Sequence, residues 1–162
     1  MPDRLIVRAT QVAELLQEKQ QRLVLAESCT GGLVAATLVQ VPGISQWFCG
    51  SVVVYREPTK TEWLEIPASV LQQFSAESQE TTACLAEAAL GKTSEATLAA
   101  AVTGHLGPNA PANDGQIFVA VHHRSAPPMG RQISLQSATR SNRQREAASE
   151  VFALLIECMQ CG

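Results

Sequence analysis

Leu23-Val24-Leu25-Ala26-Glu27-Ser28-Cys29-Thr30-Gly31-Gly32 sets four apolar residues before a carboxylate, then crowds two hydroxyls, a thiol and two glycines together. Residues 33–39 continue as an apolar stretch, so the whole reads as buried strand, tight turn and helix. Unpaired backbone N–H groups and the positive end of the dipole gather at such a helix start. An anion, or an oxyanion formed in acyl transfer, is stabilised there. Gly31 and Gly32 let a ligand approach the backbone, while Ser28, Cys29 and Thr30 offer three candidate nucleophiles. A hydroxyl at this point also serves simply as a helix cap, and the local pattern leaves both roles open.

Upstream, residues 9–19 place Val12, Leu15 and Leu16 on one face, the period of an amphipathic helix. Downstream, Pro42-Gly43 ends the helix, and residues 51–55 form a second strand, rich enough in valine to be buried. A short helix opens around Arg56 to Lys60 and runs through Leu64. Another starts at residues 75–78 and ends at Gly91, with Leu85, Ala88 and Ala89 as a narrow face for a sheet. Gly91-Lys92-Thr93 looks like the end of a phosphate-binding loop, but Ala86 stands where its first glycine belongs. Residues 96–103 make a third strand ending in a second hydroxyl-and-glycine loop, Thr103-Gly104-His105-Leu106-Gly107-Pro108. Residues 116–122 and 131–137 read as an antiparallel hairpin around a turn at 125–130, and a long helix from about Ser141 closes the chain.

Strands alternating with helices predict an α/β fold: a three-layer α/β/α sandwich around a mixed, mostly parallel five-stranded sheet. Ligands of such sheets bind beyond the carboxyl ends of strands, where both hydroxyl-rich loops and Tyr55 fall. At 162 residues, 46% hydrophobic and 17% charged, the chain is expected to be one domain spanning 1–162. A net charge of −3 lacks the basic footprint of nucleic-acid binding, although Arg140, Arg143 and Arg145 cluster. No apolar run reaches membrane-spanning length and the first residues do not resemble a secretory signal, so a cytoplasmic protein without membrane partners is expected. The odd count of five cysteines suggests reduced thiols. Cys158 and Cys161 form a CxxC that lacks two further zinc ligands, while His122 and His123, adjacent on a strand, point to opposite faces.

Ala26-Glu27-Ser28-Cys29-Thr30-Gly31-Gly32, Gly50 to Tyr55 with Lys60 five residues on, Thr103-Gly104 and Gly107-Pro108 together resemble the C-terminal domain of competence-damage-inducible protein CinA. Stand-alone members of that family are nicotinamide-nucleotide amidohydrolases. The resemblance implies hydrolysis of the carboxamide of nicotinamide mononucleotide (NMN) to nicotinic acid mononucleotide and ammonia, without metal or other cofactor. It does not extend to the domain that precedes this one in two-domain members. The sequence departs from the family at three places. Glu57 stands where asparagine is usual, Asn109-Ala110 where two glycines follow the proline, and Gln144 where a second arginine follows Arg140 by four.

Metal-free amide hydrolysis needs a nucleophile, a base and donors for the oxyanion. The resemblance assigns the nucleophile to Ser28, with the amides of Thr30 and Gly31 as donors, and leaves Cys29 as filler. Lys60 is the expected base, effective only if its pKa is depressed, and Tyr55 the residue that relays the proton or orients Lys60. Thr30, Gly31, Gly32, Thr103, Gly104 and Gly107 are expected to shape the substrate pocket, with Arg140 and Arg145 holding the phosphate. His105 lies in a site loop, facing phosphate or replacing an aliphatic residue. The expected partner is a small nucleotide substrate, NMN, in a homo-oligomer (dimer or higher). The alternative is a module of the same fold that binds a phosphorylated ligand and has lost hydrolysis.

Overall fold

The computed structural model describes residues 1–162. Asp3 opens the chain's first helix, its carboxylate accepting the Leu5 N–H at 3.0 Å, so α1 spans Arg4–Lys19 and starts earlier than its apolar period suggested. There follow β1 (Leu23–Glu27), α2 (Leu33–Leu38), β2 (Phe48–Val53), α3 (Glu57–Leu64), α4 (Ala68–Phe74), α5 (Gln79–Lys92), β3 (Leu98–Gly104), β4 (Gln116–His123), β5 (Ala126–Ser134) and α6 (Arg140–Gln160). The strands form one mixed sheet in the order β2-β1-β3-β4-β5. β1 pairs in parallel with both β2 and β3, while β4 pairs antiparallel with β3 and β5, so only β4 is reversed.

Alternation along the strands separates two cores, because successive side chains point to opposite faces of a sheet. Leu23 and Leu25 of β1, Leu98, Ala100 and Val102 of β3, and Ile117, Val119 and Val121 of β4 pack with α1, α2 and α6. Val24, Ala26, Ala99, Ala101 and Ala120 face the opposite layer, where Leu85, Ala86 and Ala89 of α5 lie against them. Small residues on both sides let α5 approach the sheet closely. No helix is long and apolar enough to cross a membrane.

Three elements differ from the sequence reading. Pro127 to Gly130 are not a turn but part of β5, and the hairpin turns at Arg124-Ser125. β5 lies at the sheet edge, where a proline without an N–H leaves no ladder bond unmade. β2 begins at Phe48 and is half-buried along its length because it is the other edge strand. α4 was not anticipated: seven residues with one buried side chain, Leu71, carry too little periodicity to read.

The β1–β2 connection runs through α2 on one face, and the β2–β3 connection through α3, α4 and α5 on the other. They part at the carboxyl end of β1, between the ends of β2 and β3. That divergence opens the crevice in which ligands of open α/β sheets bind.

Candidate active site

Glu27, the last residue of β1, fixes everything beyond it. Its fully buried carboxylate accepts the Thr30 hydroxyl at 2.8 Å, the Val34 and Ala35 N–H groups at 3.0 and 3.2 Å, and the Ser51 hydroxyl at 2.8 Å. The positive end of α2 therefore already faces an anion of the protein's own. It is not a free anion site, contrary to the sequence reading. Thr30 turns inward for the same reason, so it supplies structure to the loop and no hydroxyl to a ligand.

With Glu27 below it, the turn lifts Ser28 toward α3. Lys60, fully buried on α3, donates through Nζ to Ser28 Oγ at 3.2 Å and to the Val54 carbonyl at 2.8 Å. No carboxylate lies within ion-pair distance of it. Burial lowers its pKa from 10.5, with the charges of Glu77, Cys29 and Glu57 acting in the opposite direction. A lysine so placed holds its proton weakly and can accept one from the serine. Cys29 is a poor rival: burial pushes its thiol pKa up to about 12, leaving almost no thiolate at neutral pH. The Gly31 N–H is spent on the Ser28 carbonyl at 3.0 Å, whereas the amides of Cys29 and Thr30 donate to no other residue. Of the pair expected as oxyanion donors, Gly31 is therefore already engaged.

Across the crevice, the loop after β3 is shaped by α6. Arg140 donates to the Gly107 carbonyl and, at 3.0 Å, to the Tyr55 hydroxyl. Arg143 reaches the Leu106 carbonyl at 3.1 Å, the Ser137 carbonyl at 2.9 Å and the Asp114 carboxylate at 3.4 Å. Gly107, at φ +65°, holds a conformation that favours glycine, and a Cβ there would push on the Asp114 and Arg143 side chains. Gly104 is obligatory, as its Cβ would fall 2.5 Å from the Gln116 carbonyl oxygen on β4. A hollow of about 220 Å³ results, lined by Ser28, Cys29, Tyr55, Glu77, residues 104–108, Ala110, Pro111 and Arg140. It adjoins a second hollow bounded by Gly31, Tyr55, Thr139, Arg140, Ser141 and Gln144.

Of the expected site residues, Ser28, Tyr55, Gly104, Gly107 and Arg140 line the first hollow, Gly31 lines the second, and Lys60 lies behind Ser28. Four others line neither: Thr30, whose hydroxyl is held by Glu27, and three more. Thr103 is fully buried with its hydroxyl 2.8 Å from that of Thr82, so it ties β3 to α5 instead of facing substrate. Gly32 packs toward Val53. Arg145 pairs with Asp3 and lines a different hollow, because it sits one position late on α6 to share the face of Arg140. Tyr55 bonds Arg140, not Lys60, so it orients the arginine. The sequence reading missed Glu77, Gln144 and the anchoring part of Glu27. Gln144 donates to the Thr30 carbonyl at 2.7 Å and so latches the first loop to α6, a contact 114 residues apart with no local signal.

Residues 7–159 match the model of the CinA C-terminal domain. A CinA-like protein of Myxococcus xanthus is 35% identical over 150 residues, which cover 91% of this chain and 35% of that protein. One from Pseudothermotoga lettingae is 41% identical over 99 residues, 60% of this chain and 24% of that protein. The chain therefore spans only about a quarter to a third of the length of these relatives. Among solved structures, the competence/damage inducible protein CihA from Agrobacterium tumefaciens aligns at a TM-score of 0.90 and 26% identity, over 97% of this chain and 96% of that one. A CinA superfamily protein from Klebsiella pneumoniae aligns at 0.91 over 98% and 99%; its 24% identity speaks to the fold alone.

Proposed function

The chain belongs to the CinA C-terminal domain family, and from that premise we propose that it is a nicotinamide mononucleotide amidohydrolase working through Ser28 and Lys60. The observation that carries this reading is the contact of 3.2 Å between a buried lysine without a carboxylate partner and a serine at the crevice. Such a lysine has no structural salt bridge to make, and a pKa lowered by burial suits a general base.

In this reading Lys60 Nζ takes the hydroxyl proton as Ser28 Oγ attacks the carboxamide carbon, and the tetrahedral oxyanion forms against the free amides of Cys29 and Thr30. The carbon–nitrogen bond then breaks, and the lysine ammonium hands its proton to the leaving nitrogen, which departs as ammonia. An ester remains on Ser28. Water attacks that ester while Lys60 accepts its proton, and the ammonium returns that proton to Ser28 Oγ as the ester bond breaks, releasing nicotinic acid mononucleotide and restoring both serine and neutral lysine. Arg140 and the adjoining hollow at the start of α6 would receive the phosphate, since a guanidinium fork matches phosphate oxygens.

Purified protein incubated with NMN is expected to release ammonia and nicotinic acid mononucleotide in equal amounts. Failure to release ammonia, with NMN still bound, would turn the reading into that of a binding module.

A further inference from the structure

Glu77 sits in the segment that leads into α5 and reaches the hollow beside Ser28. Its side chain is 26% exposed and has no lysine or arginine within ion-pair distance. Its polar neighbours are the His105 ring, with Nε2 3.6 Å from Oε2 and too far for a hydrogen bond, and the Ser75 hydroxyl, which donates to it at 3.4 Å. Lys60, the neighbouring ammonium, spends its contacts on Ser28 and Val54, and Arg140 spends its own on Gly107 and Tyr55. The reaction hollow thus presents a carboxylate that no lysine or arginine pairs directly; the charge of Lys60 acts on it only from beyond ion-pair distance.

The opposite charge lies toward the other end. Arg140 also has no carboxylate partner, and it borders both the reaction hollow and the adjoining one, from which Glu77 and His105 are absent. A ligand that extends from Ser28 past Arg140 therefore meets negative charge beside the reacting group and positive charge further along. A neutral amide gains nothing from that order. A zwitterion with a cationic ring carrying the carboxamide and an anion at its far end matches it.

We propose that Glu77 is a specificity-determining residue whose carboxylate faces the positively charged ring of a pyridinium nucleotide, so that the site selects oxidised, cationic nicotinamide over neutral-ring amides. The inference rests on the NMN reading above and adds to it a reason for the acidic wall. It also gives His105 a place: the ring stands beside Glu77 at the reaction hollow and does not line the adjoining one.

The test uses the Ser28→Ala protein, which holds ligand without consuming it. Binding of NMN is measured by calorimetry beside binding of its reduced dihydropyridine form, which keeps the carboxamide, ribose and phosphate but has an uncharged ring. NMN is expected to bind more tightly on the order of tenfold, with the preference shrinking as salt is raised. Glu77→Gln, close in shape, should abolish the preference by weakening NMN while leaving the reduced form unchanged. Equal weakening of both ligands, or a preference that survives Glu77→Gln, would overturn the role of Glu77 and leave the NMN reading standing. Binding of neither ligand by Ser28→Ala would instead overturn the NMN reading itself.

Discussion

The loops after β1 and β3 look alike in sequence, a hydroxyl followed by glycines at the end of a buried strand, yet they are built by opposite means. In the first, the organising group is local: Glu27 reaches Thr30, Val34 and Ala35, three to eight residues ahead, and leaves Ser28 as the hydroxyl presented to the crevice. In the second, the hydroxyl of Thr103 is buried against Thr82, and the carbonyls of Leu106 and Gly107 are held by Arg143 and Arg140, more than thirty residues on. A loop ordered mainly from within, with distant ties such as those to Ser51 and Gln144, can fix a reacting atom. A loop hung from a distant helix makes a wall whose shape depends on that helix.

The sharpest way to break this comparison is to remove the one group that only the first loop offers. Ser28→Ala is expected to lower kcat for NMN hydrolysis by about a thousandfold or more while the protein still folds and binds NMN. If ammonia release persisted near the parental rate, the chemistry would have to move to another hydroxyl and the contrast between the loops would fail. Lys60→Met follows, with a loss of roughly a hundredfold. Because catalysis uses the neutral amine, parental activity should climb with pH through the lowered lysine pKa, and the methionine variant should lose that limb. Stability carries the same sign. The native state binds the Lys60 proton less tightly than the unfolded chain, so stability gains with pH from the lowered value up to 10.5, a gain that Lys60→Met removes. Thermal melts of both proteins between pH 7 and 10 would detect it.

This difference in construction also explains what the sequence made legible. The β1 loop is readable because most of its contacts lie within ten residues, and the strand-to-helix turn with Ser28 at its apex is where the pattern puts it. Even there the part played by Glu27 escaped, since a carboxylate at a strand end reads as polar punctuation until its four donors are seen. The β3 loop reads as site-forming and does line the hollow, but Thr103 reads as a pocket residue because burial by α5 cannot be read from the strand alone. The sheet class followed from alternating elements, whereas β5 through Pro127 and Pro128 required knowing that this strand has no outer neighbour. Gln144 stands out in the sequence only as a departure from the family pattern, and neither its contact with Thr30 nor the place of Glu77 has a local signal, for their partners come from other layers.

Glu27→Ala is expected to damage the first loop through stability. It would strand two hydroxyls and two N–H groups in a buried place, at a cost of about 3 kcal/mol or more of unfolding free energy. Urea titration with circular dichroism measures this directly. A loss under about 1 kcal/mol would mean that the loop holds its shape without the carboxylate, and that its autonomy lies elsewhere.

The smallest effects, and the finest test of the second loop, come from the three arginines of α6. Arg140→Ala should reduce kcat/KM for NMN on the order of tenfold more than for nicotinamide riboside, which has the same amide and no phosphate. Arg143→Ala should affect both substrates alike, because this side chain braces the Leu106 carbonyl and Asp114 instead of facing the adjoining hollow. Arg145→Ala should leave both substrates unchanged and shift stability by less than about 1 kcal/mol, as expected for a half-exposed pair with Asp3. The order matters more than any single value, since these residues lie within two turns of one helix and differ mainly in the direction each one points. Steady-state kinetics on both substrates for the three variants separates the cases. If Arg143→Ala discriminated by phosphate and Arg140→Ala did not, the phosphate would belong beside Leu106 and Asp114, and the second loop would be a binding element in its own right, not a wall held from α6.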